Sequence, residues 1–465
     1  MITIIGRMTL GLGMASMCAI AAAADGDLDT TFGADGFRLT GAVDANSSVP
    51  AGMAMQPDGK IVICNGEGTS SLDFYVARFT ADGDLDTTFS FDGKTTIDFD
   101  GNSDTCVGVA VQDDGKIIVA GTTVPQDNNA DFAVARLNAD GTLDLANFGN
   151  GTGKSVVGFD LGNSNGDYAN SVALRPSGKI VVAGSAATLT DGADFAILQL
   201  NTDGSRDTSF NLTGRVTVGF DFAASPSHDD NAVNIAIDAD GRIVAAGNAS
   251  VGTTGQTDFA VIRLLPTGQL DPDFSADGRA TVAFDLGGAT GGNGDGVYSV
   301  VLLRGGKILL GGVADSSTTA TPNEDMALVR MLPDGSLDAG FGLGGRTTVP
   351  FDLEQEGPDL LLAAAEQSNG RLVLAGAAVG GVTGAVYAAA ARLTPDGSPD
   401  AGFGTLGKKT YDFGQTVPSG QLFNGIGFQG NQIVFGGAIN VIDTLHIDLY
   451  AARVQIDLIF ADGFE

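Results

Sequence analysis

Hydrophobic residues occur in short runs throughout residues 25–456, and small polar or turn-forming residues separate these runs. One stretch reads Ser171-Val172-Ala173-Leu174, then has a Pro-Ser-Gly turn at 176–178, and continues with a second apolar run over 179–183. Apolar or alternating runs of this length, bounded by Gly, Asp, Asn and Pro, are typical of β-strands and tight turns. No long stretch has the spacing of an amphipathic helix. The pattern therefore predicts an all-β protein.

Three short motifs recur in a fixed order, seven times each. They are a Gly-Lys hairpin with an apolar run (Gly178-Lys179-Ile180-Val181-Val182), a strand of the type Asp-Phe-Ala-Val-Ala-Arg-Leu (131–137), and a Leu-Asp-x-x-Phe-Gly turn (28–33). Successive hairpins lie 56 to 65 residues apart. A period near 60 suits one four-stranded propeller blade with long loops. The repeats thus predict seven four-stranded antiparallel blades.

The two ends of the repeat array are complementary. The chain from Leu28 to Leu39 carries the third motif without a hairpin before it, whereas the last cycle ends after its strand at Arg453. A closed ring lets the N-terminal strand pair into the last blade and removes an exposed sheet edge. The prediction is a seven-bladed β-propeller over residues 25–456, closed in this way.

The motifs resemble those of the delta-60 repeat family, which comprises exported bacterial proteins with arrays of Leu-Asp-x-x-Phe-Gly and Gly-Lys-Ile units. The resemblance covers roughly residues 26–455, with Gln199 in place of the repeated arginine in the third copy and Asn431 in place of the last hairpin glycine. The resemblance implies a β-propeller fold and implies no particular activity.

The first 24 residues have the build of a secretory signal peptide. Arg7 is their single charge, an apolar stretch follows from Met8, and Ala22-Ala23-Ala24 offers a cleavage site of small residues. No later segment is apolar over the ~20 residues of a membrane-spanning helix. We expect an exported protein of a Gram-negative bacterium, in the periplasm, on the cell surface or outside the cell. Residues 457–465 would form a short C-terminal tail.

Composition restricts the partners. The 465 residues include 56 acidic and 24 basic residues, for a formal net charge of −32, but only two His and no Trp. A field of this sign repels phosphate backbones and anionic lipid, which argues against nucleic-acid partners. We expect a monomeric binding or scaffold module whose ligand the sequence does not identify, with its working face at the axial mouth and the loops around it. The alternative is a hydrolase or lyase that uses carboxylates at the channel mouth.

An aspartate recurs eleven residues before the hairpin glycine in five of the seven copies. The five residues are Asp104, Asp167, Asp230, Asp295 and Asp359. This position opens the first strand of each blade, which is expected to line the channel. The functional hypothesis is an axial ring of carboxylates that binds a cation, with calcium as the candidate. The alternative is that each aspartate caps a turn by accepting backbone N–H bonds.

The repeated Arg–Asp pair, the Asp-Gly turns and the two cysteines are all expected to have structural roles. The repeated arginine and the aspartate of the third motif, such as Arg136 and Asp144, are expected to form an ion pair inside each blade. Asp-Gly turns such as that at 82–86 favour hairpin turns over calcium loops. Cys64 and Cys106 fall on neighbouring blades, where they could form a disulfide or remain two buried thiols.

Overall fold

The structure is a computed structural model. It describes residues 25–456 except for 34, 42–51, 69–70, 100–102, 126–128, 163–165, 190–191, 221, 223–227, 252–255, 285, 287–293, 317–322, 354–356, 381–383, 414–419 and 442–445. The signal peptide predicted at 1–24 and the tail predicted at 457–465 lie outside the described residues. Within the described ranges, no helix has the length and hydropathy that a membrane crossing requires.

Twenty-eight strands make up almost all of the regular structure. In chain order they are β1 (Phe37–Leu39), β2 (Gly52–Met55), β3 (Ile61–Glu67), β4 (Asp73–Phe79), β5 (Lys94–Ile97), β6 (Ser103–Val111), β7 (Ile117–Val124), β8 (Asp131–Leu137), β9 (Lys154–Val157), β10 (Asp167–Leu174), β11 (Ile180–Ala187), β12 (Ala193–Leu200), β13 (Arg215–Val218), β14 (Asp230–Ile237), β15 (Ile243–Val251), β16 (Gln256–Leu264), β17 (Arg279–Val282), β18 (Gly296–Leu302), β19 (Ile308–Asp315), β20 (Glu324–Met331), β21 (Arg346–Val349), β22 (Asp359–Glu366), β23 (Leu372–Gly380), β24 (Ala385–Leu393), β25 (Lys408–Tyr411), β26 (Gln421–Gln429), β27 (Gln432–Val441) and β28 (His446–Val454). Two 3₁₀ turns, Gly149–Gly151 and Arg304–Gly306, are the only helical segments in the described ranges.

These strands form seven four-stranded antiparallel sheets. Blades 1 to 6 each take four consecutive strands, from β2–β5 in blade 1 to β22–β25 in blade 6. The first strands of neighbouring blades contact one another around the whole ring, and β26 contacts β2. The short fourth strand lies at the outer edge of each blade. The predicted seven-bladed propeller is therefore confirmed.

The N-terminal strand completes blade 7, whose strand order is β1-β28-β27-β26. Phe37 pairs with Ala452 and Leu39 pairs with Tyr450 in antiparallel register. Just beyond this strand, the buried Thr40 hydroxyl donates to Asp448 Oδ1 at 2.6 Å. The predicted closure, in which the first strand occupies the outer position of the last blade, is confirmed.

One interaction recurs around the ring and joins each blade to the next. Arg78 Nε donates to Asp86 Oδ2 at 2.8 Å, and its guanidinium carbon lies 4.7 Å from the centre of the Phe89 ring. Its Nη1 also donates to the carbonyl of Ala139, in the Asp-Gly turn of blade 2. Six copies of this Arg–Asp pair are present, with Nε–Oδ2 distances of 2.7–3.0 Å: Arg78–Asp86, Arg136–Asp144, Arg263–Asp271, Arg330–Asp338, Arg392–Asp400 and Arg453–Asp29. The ion pair predicted inside each blade is confirmed in six of the seven blades, and its reach into the next blade is an additional finding.

The Phe below each guanidinium needs a glycine in the facing turn. Gly141, in the Asp-Gly turn of blade 2, has φ +88°, and a Cβ atom there would lie 2.9 Å from the Phe89 ring. Glycine is therefore required both for the left-handed backbone and for the close approach. The same stacking closes the ring, since Gly26 faces Phe403 and Gly83 faces Phe32.

Blade 3 keeps the interaction although the arginine has moved. Gln199 Nε2 donates to Asp207 Oδ2 at 2.5 Å, and Arg175, at the end of β10, donates through Nε to Gln199 Oε1 at 2.5 Å. Arg175 lies over the Phe210 ring at 5.9 Å and donates to the carbonyls of Gly241 and Pro266 in blade 4. A guanidinium from another strand thus replaces the missing one.

We predict that Asp86→Asn lowers the free energy of unfolding and makes that free energy less sensitive to acidic pH. Burial alone would raise the pKa of Asp86, but hydrogen bonds from Thr88 and Lys60 and the charge of Arg78 outweigh it and lower the pKa to about 2. The stabilisation that the lowered pKa of Asp86 gives to the folded state is therefore fully present above pH ~3.8 and is lost as the pH falls through about 2. At pH 7 the variant should lose about 3 kcal/mol of unfolding free energy, because Arg78 keeps a buried charge without its carboxylate.

Urea unfolding at pH 7, 4 and 2.5 measures this effect. The stability difference between the two proteins should shrink by about 2 kcal/mol at the lowest pH. A difference that stays constant over this range would contradict the assignment.

A disulfide joins blades 1 and 2 in the structure. Cys64 lies in β3 and Cys106 lies in β6, and their Cα atoms are 5.8 Å apart. Both side chains are fully buried among residues of the two blades, including Phe74 and Phe99. The bridge therefore crosslinks two neighbouring sheets inside their shared core.

We predict that Cys64→Ala combined with Cys106→Ala lowers the unfolding free energy by about 4 kcal/mol, because a bridge across 42 residues restricts the unfolded chain. Guanidinium unfolding with and without a reducing agent checks this. The reductant should destabilise the unsubstituted protein and leave the double variant unchanged. Equal behaviour of the two proteins would show that the thiols are not bridged.

Candidate functional site

The five aspartates predicted to form an axial ring lie at the junctions between blades. Asp167, Asp230 and Asp359 are the first residues of their inner strands, Asp104 is the second residue of β6, and Asp295 precedes β18. All five are buried, with at most 2% of each exposed. Each belongs to a different junction, so the structure does not bring the five together as one group of ligands.

Each of these carboxylates holds the segment that crosses from the preceding blade. Asp104 Oδ2 accepts the backbone N–H of Phe99 at 2.7 Å, and Asp359 Oδ2 accepts that of Phe351 at 2.5 Å. Asp167, Asp230 and Asp295 accept from Phe159, Phe220 and Phe284 in the same way, at 2.5–2.7 Å. At the next junction, Gln421 Oε1 accepts from Phe413 at 3.1 Å. These contacts are the ones expected if each aspartate caps a turn, which was the alternative to a ring of cation ligands.

The phenylalanine that follows each outer strand completes this anchor. The Phe99 ring packs on Phe74 with centroids 4.8 Å apart, and Phe159 packs on Phe132 at 5.2 Å. These phenylalanines were not among the predicted site residues. Their signal was a Phe two positions beyond each outer strand, eight to eleven residues before the first-strand aspartate in the later copies.

Burial controls the charge of several of these carboxyl groups. It raises the pKa of Asp167, and it raises the pKa of Asp104, where the carboxylates of Asp98 and Asp73 act in the same direction. Burial, assisted by the charges of Asp325 and Asp352, raises the pKa of Asp359 to about 7. The hydrogen bonds from backbone N–H groups, and at Asp104 first the one from the Thr123 side chain, only partly offset this cost of desolvation.

Two junctions concentrate three carboxylates each. Asp73, Asp98 and Asp104 form one group, and Asp325, Asp352 and Asp359 form the other. In each group, one oxygen per residue lies within 4.8 Å of the others. Two members of each group come from the preceding blade, and the third is the first-strand aspartate of the next blade. These are the only acidic clusters of this geometry among the described residues.

We predict that the cap at Asp167 requires an acceptor and no charge. Asp167→Ala leaves the buried N–H of Phe159 without a partner and should cost about 1–3 kcal/mol of unfolding free energy. Asp167→Asn keeps an acceptor oxygen, avoids the buried charge, and should stay within about 1 kcal/mol of the unsubstituted protein. Urea unfolding at pH 7 compares them. Equal stability of the Ala and Asn variants would rule out the cap as a stabilising contact.

The central channel carries a different set of side chains. Six of the seven inner strands contain a β-bulge at the same place, where the pairing with the second strand skips one residue. A bulge redirects the side chain of the extra residue. The six bulged residues are Val107, Asn170, Val233, Tyr298, Leu362 and Asn424, and all six line one cavity of about 580 Å³ on the axis. We refer to these six residues as the collar.

Five asparagines are among the residues that line this cavity: Asn170, Asn231, Asn234, Asn248 and Asn424. Asn170 Nδ2 donates to Asn231 Oδ1 at 2.8 Å and to the carbonyl of Ala232 at 2.9 Å. Asn248 Oδ1 accepts from the backbone N–H of Val297. Asn424 differs, because neither Oδ1 nor Nδ2 of its buried amide has a hydrogen-bond partner among the described residues. The described residues that line the cavity include no carboxylate.

The six collar residues were not predicted from the sequence. They differ in type from blade to blade, so the repeat offers no motif there. The bulge arises from the pairing of two strands and leaves no local signature. The axial mouth predicted as the working face does contain a cavity, whereas several of the surrounding loops lie outside the described residues.

The closed ring of seven sheets and the axial cavity define a repeat protein of the β-propeller class. Six stretches of the chain match the model of a family described as a domain of unknown function (DUF5122) beta-propeller, at residues 56–89, 112–146, 175–210, 239–274, 306–341 and 367–403. Five of the matches run from a hairpin to the Phe of the third motif, and the second ends at residue 146, just before Phe148. No curated protein matches the chain.

Several solved structures match the chain at low similarity. A puromycin hydrolase structure is 14% identical with a TM-score of 0.45, and the match covers 90% of this chain and 53% of that one. The chain thus spans about half the length of that enzyme. A polysaccharide lyase of family PL25, an ulvan lyase, is 12% identical with a TM-score of 0.46, and the match covers 92% of this chain and 94% of that one. A Trypanosoma rangeli sialidase is 8% identical with a TM-score of 0.39, and the match covers 86% of this chain and 53% of that one. Similarities at this level carry no argument about activity.

Proposed function

We propose that this protein is an exported, acidic binding module that takes a neutral saccharide in its axial cavity. The proposal includes membership of the delta-60 repeat family, a monomeric state, and export from a Gram-negative bacterium by the predicted signal peptide. These points rest on the sequence motifs and on the net charge of −32. The ligand class rests on the chemistry of the cavity.

The collar carries this proposal. The fold imposes nearly equal contacts on the seven blades, whereas the collar places six side chains of four types at equivalent positions around the axis. Such asymmetry is what recognition of a ligand without sevenfold symmetry requires. Specificity on a repeated scaffold belongs to the positions that the scaffold leaves free to vary.

The chemistry of the collar favours a neutral ligand with many hydroxyl groups. A primary amide offers both donors and an acceptor, and can pair with two neighbouring hydroxyls at once. The two polar atoms of the Asn424 amide are buried in the cavity wall and have no hydrogen-bond partner within the described part of the chain, so a turn of this side chain toward the channel would present both to a ligand. Tyr298 and Leu362 add apolar surface on which the face of a sugar ring can lie.

The alternative of a hydrolase or lyase needs reactive carboxylates that reach a substrate. The aspartates considered for that role are buried between blades and hold backbone N–H groups. No described residue of the cavity wall is acidic. These observations favour binding over catalysis.

We predict that the protein binds neutral oligosaccharides and that Asn424→Leu weakens this binding at least tenfold. Loss of the amide removes its hydrogen bonds to the ligand, whereas the fold loses nothing because the amide has no partner among the described residues. An array of neutral oligosaccharides, together with uronic-acid and sialylated counterparts, identifies the probe. Calorimetry with the best neutral probe then compares the variants.

Asn369→Leu, in a hairpin turn outside the cavity, is the matched control and should bind as the unsubstituted protein does. Binding that survives Asn424→Leu, or an array on which no neutral probe binds, would refute the proposed site. Cleavage of a probe that stops in Asp104→Asn and Asp230→Asn would instead support the enzymatic alternative.

A further inference from the structure

The two carboxylate clusters join neighbouring blades at the end where the chain crosses between them. In the second cluster, Asp325 lies in β20 of blade 5, Asp352 follows β21 of the same blade, and Asp359 opens β22 of blade 6. The first cluster repeats this arrangement between blades 1 and 2. Three like charges at this separation repel one another unless a cation or protons compensate them.

The spacing of the oxygens fits one hard divalent cation. Calcium binds oxygen at about 2.3–2.6 Å, so ligands on opposite sides of the ion are about 4.6–5.2 Å apart. One oxygen from each of the three residues lies within 4.8 Å of the other two. Small movements of the side chains therefore bring all three oxygens onto the same ion.

An unused buried oxygen in each cluster provides independent support. Asp359 is fully buried, and its Oδ2 accepts the N–H of Phe351, whereas its Oδ1 has no hydrogen-bond partner among the described residues. At Asp104, Oδ2 accepts from Phe99 and the Thr123 hydroxyl acts on the carboxylate, but Oδ1 has no well-formed hydrogen bond to a described residue. A buried carboxylate oxygen without a donor is costly, and a bound cation would satisfy it.

Each cluster is also open to solvent on one side. Asp98 and Asp352 are exposed, although their cluster partners Asp104 and Asp359 are buried. An ion can therefore enter, and water can supply the remaining ligands of a six- to eight-coordinate calcium ion. Lys408, at the junction of blades 5 and 6, donates to the carbonyl of Pro350 and lies over the Phe351 ring.

We propose that these two clusters are calcium sites that link blade 1 to blade 2 and blade 5 to blade 6. They differ from the axial ring expected from the sequence, because each site takes one first-strand aspartate and two residues of the preceding blade. The inference is independent of the saccharide proposed for the channel, since none of the six ligands belongs to the collar.

The test measures calcium binding to the full chain by isothermal titration calorimetry in 150 mM KCl, where screening suppresses diffuse binding to surface charge. We expect two ions per chain with dissociation constants of order 10⁻⁴ M. Asp352→Asn or Asp98→Asn alone should reduce the stoichiometry to one, and the double variant should bind none. Saturating calcium should raise the melting temperature by about 1–3 °C in the unsubstituted protein and leave the double variant unchanged.

Asp160→Asn is a matched control at the junction of blades 2 and 3. Asp160 and Asp352 follow the anchoring Phe of their junctions and share a left-handed backbone, with φ 51° and 47°, which asparagine tolerates. The control should keep two ions. Absence of saturable binding, retention of two sites in either single variant, or an equal loss in the control would overturn the proposal.

Discussion

In six of the seven blades, a guanidinium group on the third strand makes the contact on which the ring depends. It binds an aspartate of its own blade, covers that blade's Phe, and donates to the turn of the next blade, to a backbone carbonyl in five blades and to the Asp25 carboxylate from Arg392. The three contacts fix the angle between two sheets as well as the sheet itself. Blade 3 shows how strongly the position is required, because Arg175 replaces the missing group from another strand.

The two ends of each junction have different roles. At the turn end, arginine, aspartate and Phe form a neutralised and nearly uniform contact. At the crossover end of the junctions between blades 1 and 2 and between blades 5 and 6, a buried aspartate accepts a backbone N–H through one oxygen and stands beside two further carboxylates. The first arrangement is neutralised by the protein's own groups, whereas these two clusters leave room for an ion. The collar lies on the axis, apart from both.

Much of the fold could be predicted because the sequence motifs repeat. The hairpin glycine, the third-motif Phe and the Arg–Asp pair have one partner each at fixed separations, so seven copies reveal both blade and ring. Only the position of Asp104 along the strand could be predicted. Its position at the start of an inner strand was correct, but whether its carboxylate faces the axis or the neighbouring blade depends on sheet twist and on Phe99. The collar was beyond prediction, because the bulge that creates it depends on strand pairing.

The closure of the ring has a consequence for the order in which the chain folds. Thr40 and Asp448 bond across 408 residues, and blade 7 takes its outer strand from one end of the array and its other three from the opposite end. A nascent chain can build blades 1 to 6 as they emerge, but the last sheet waits until β26 to β28 have been made. Its final step is then a long-range encounter between β1 and β28, which a chain that stops before blade 7 cannot complete.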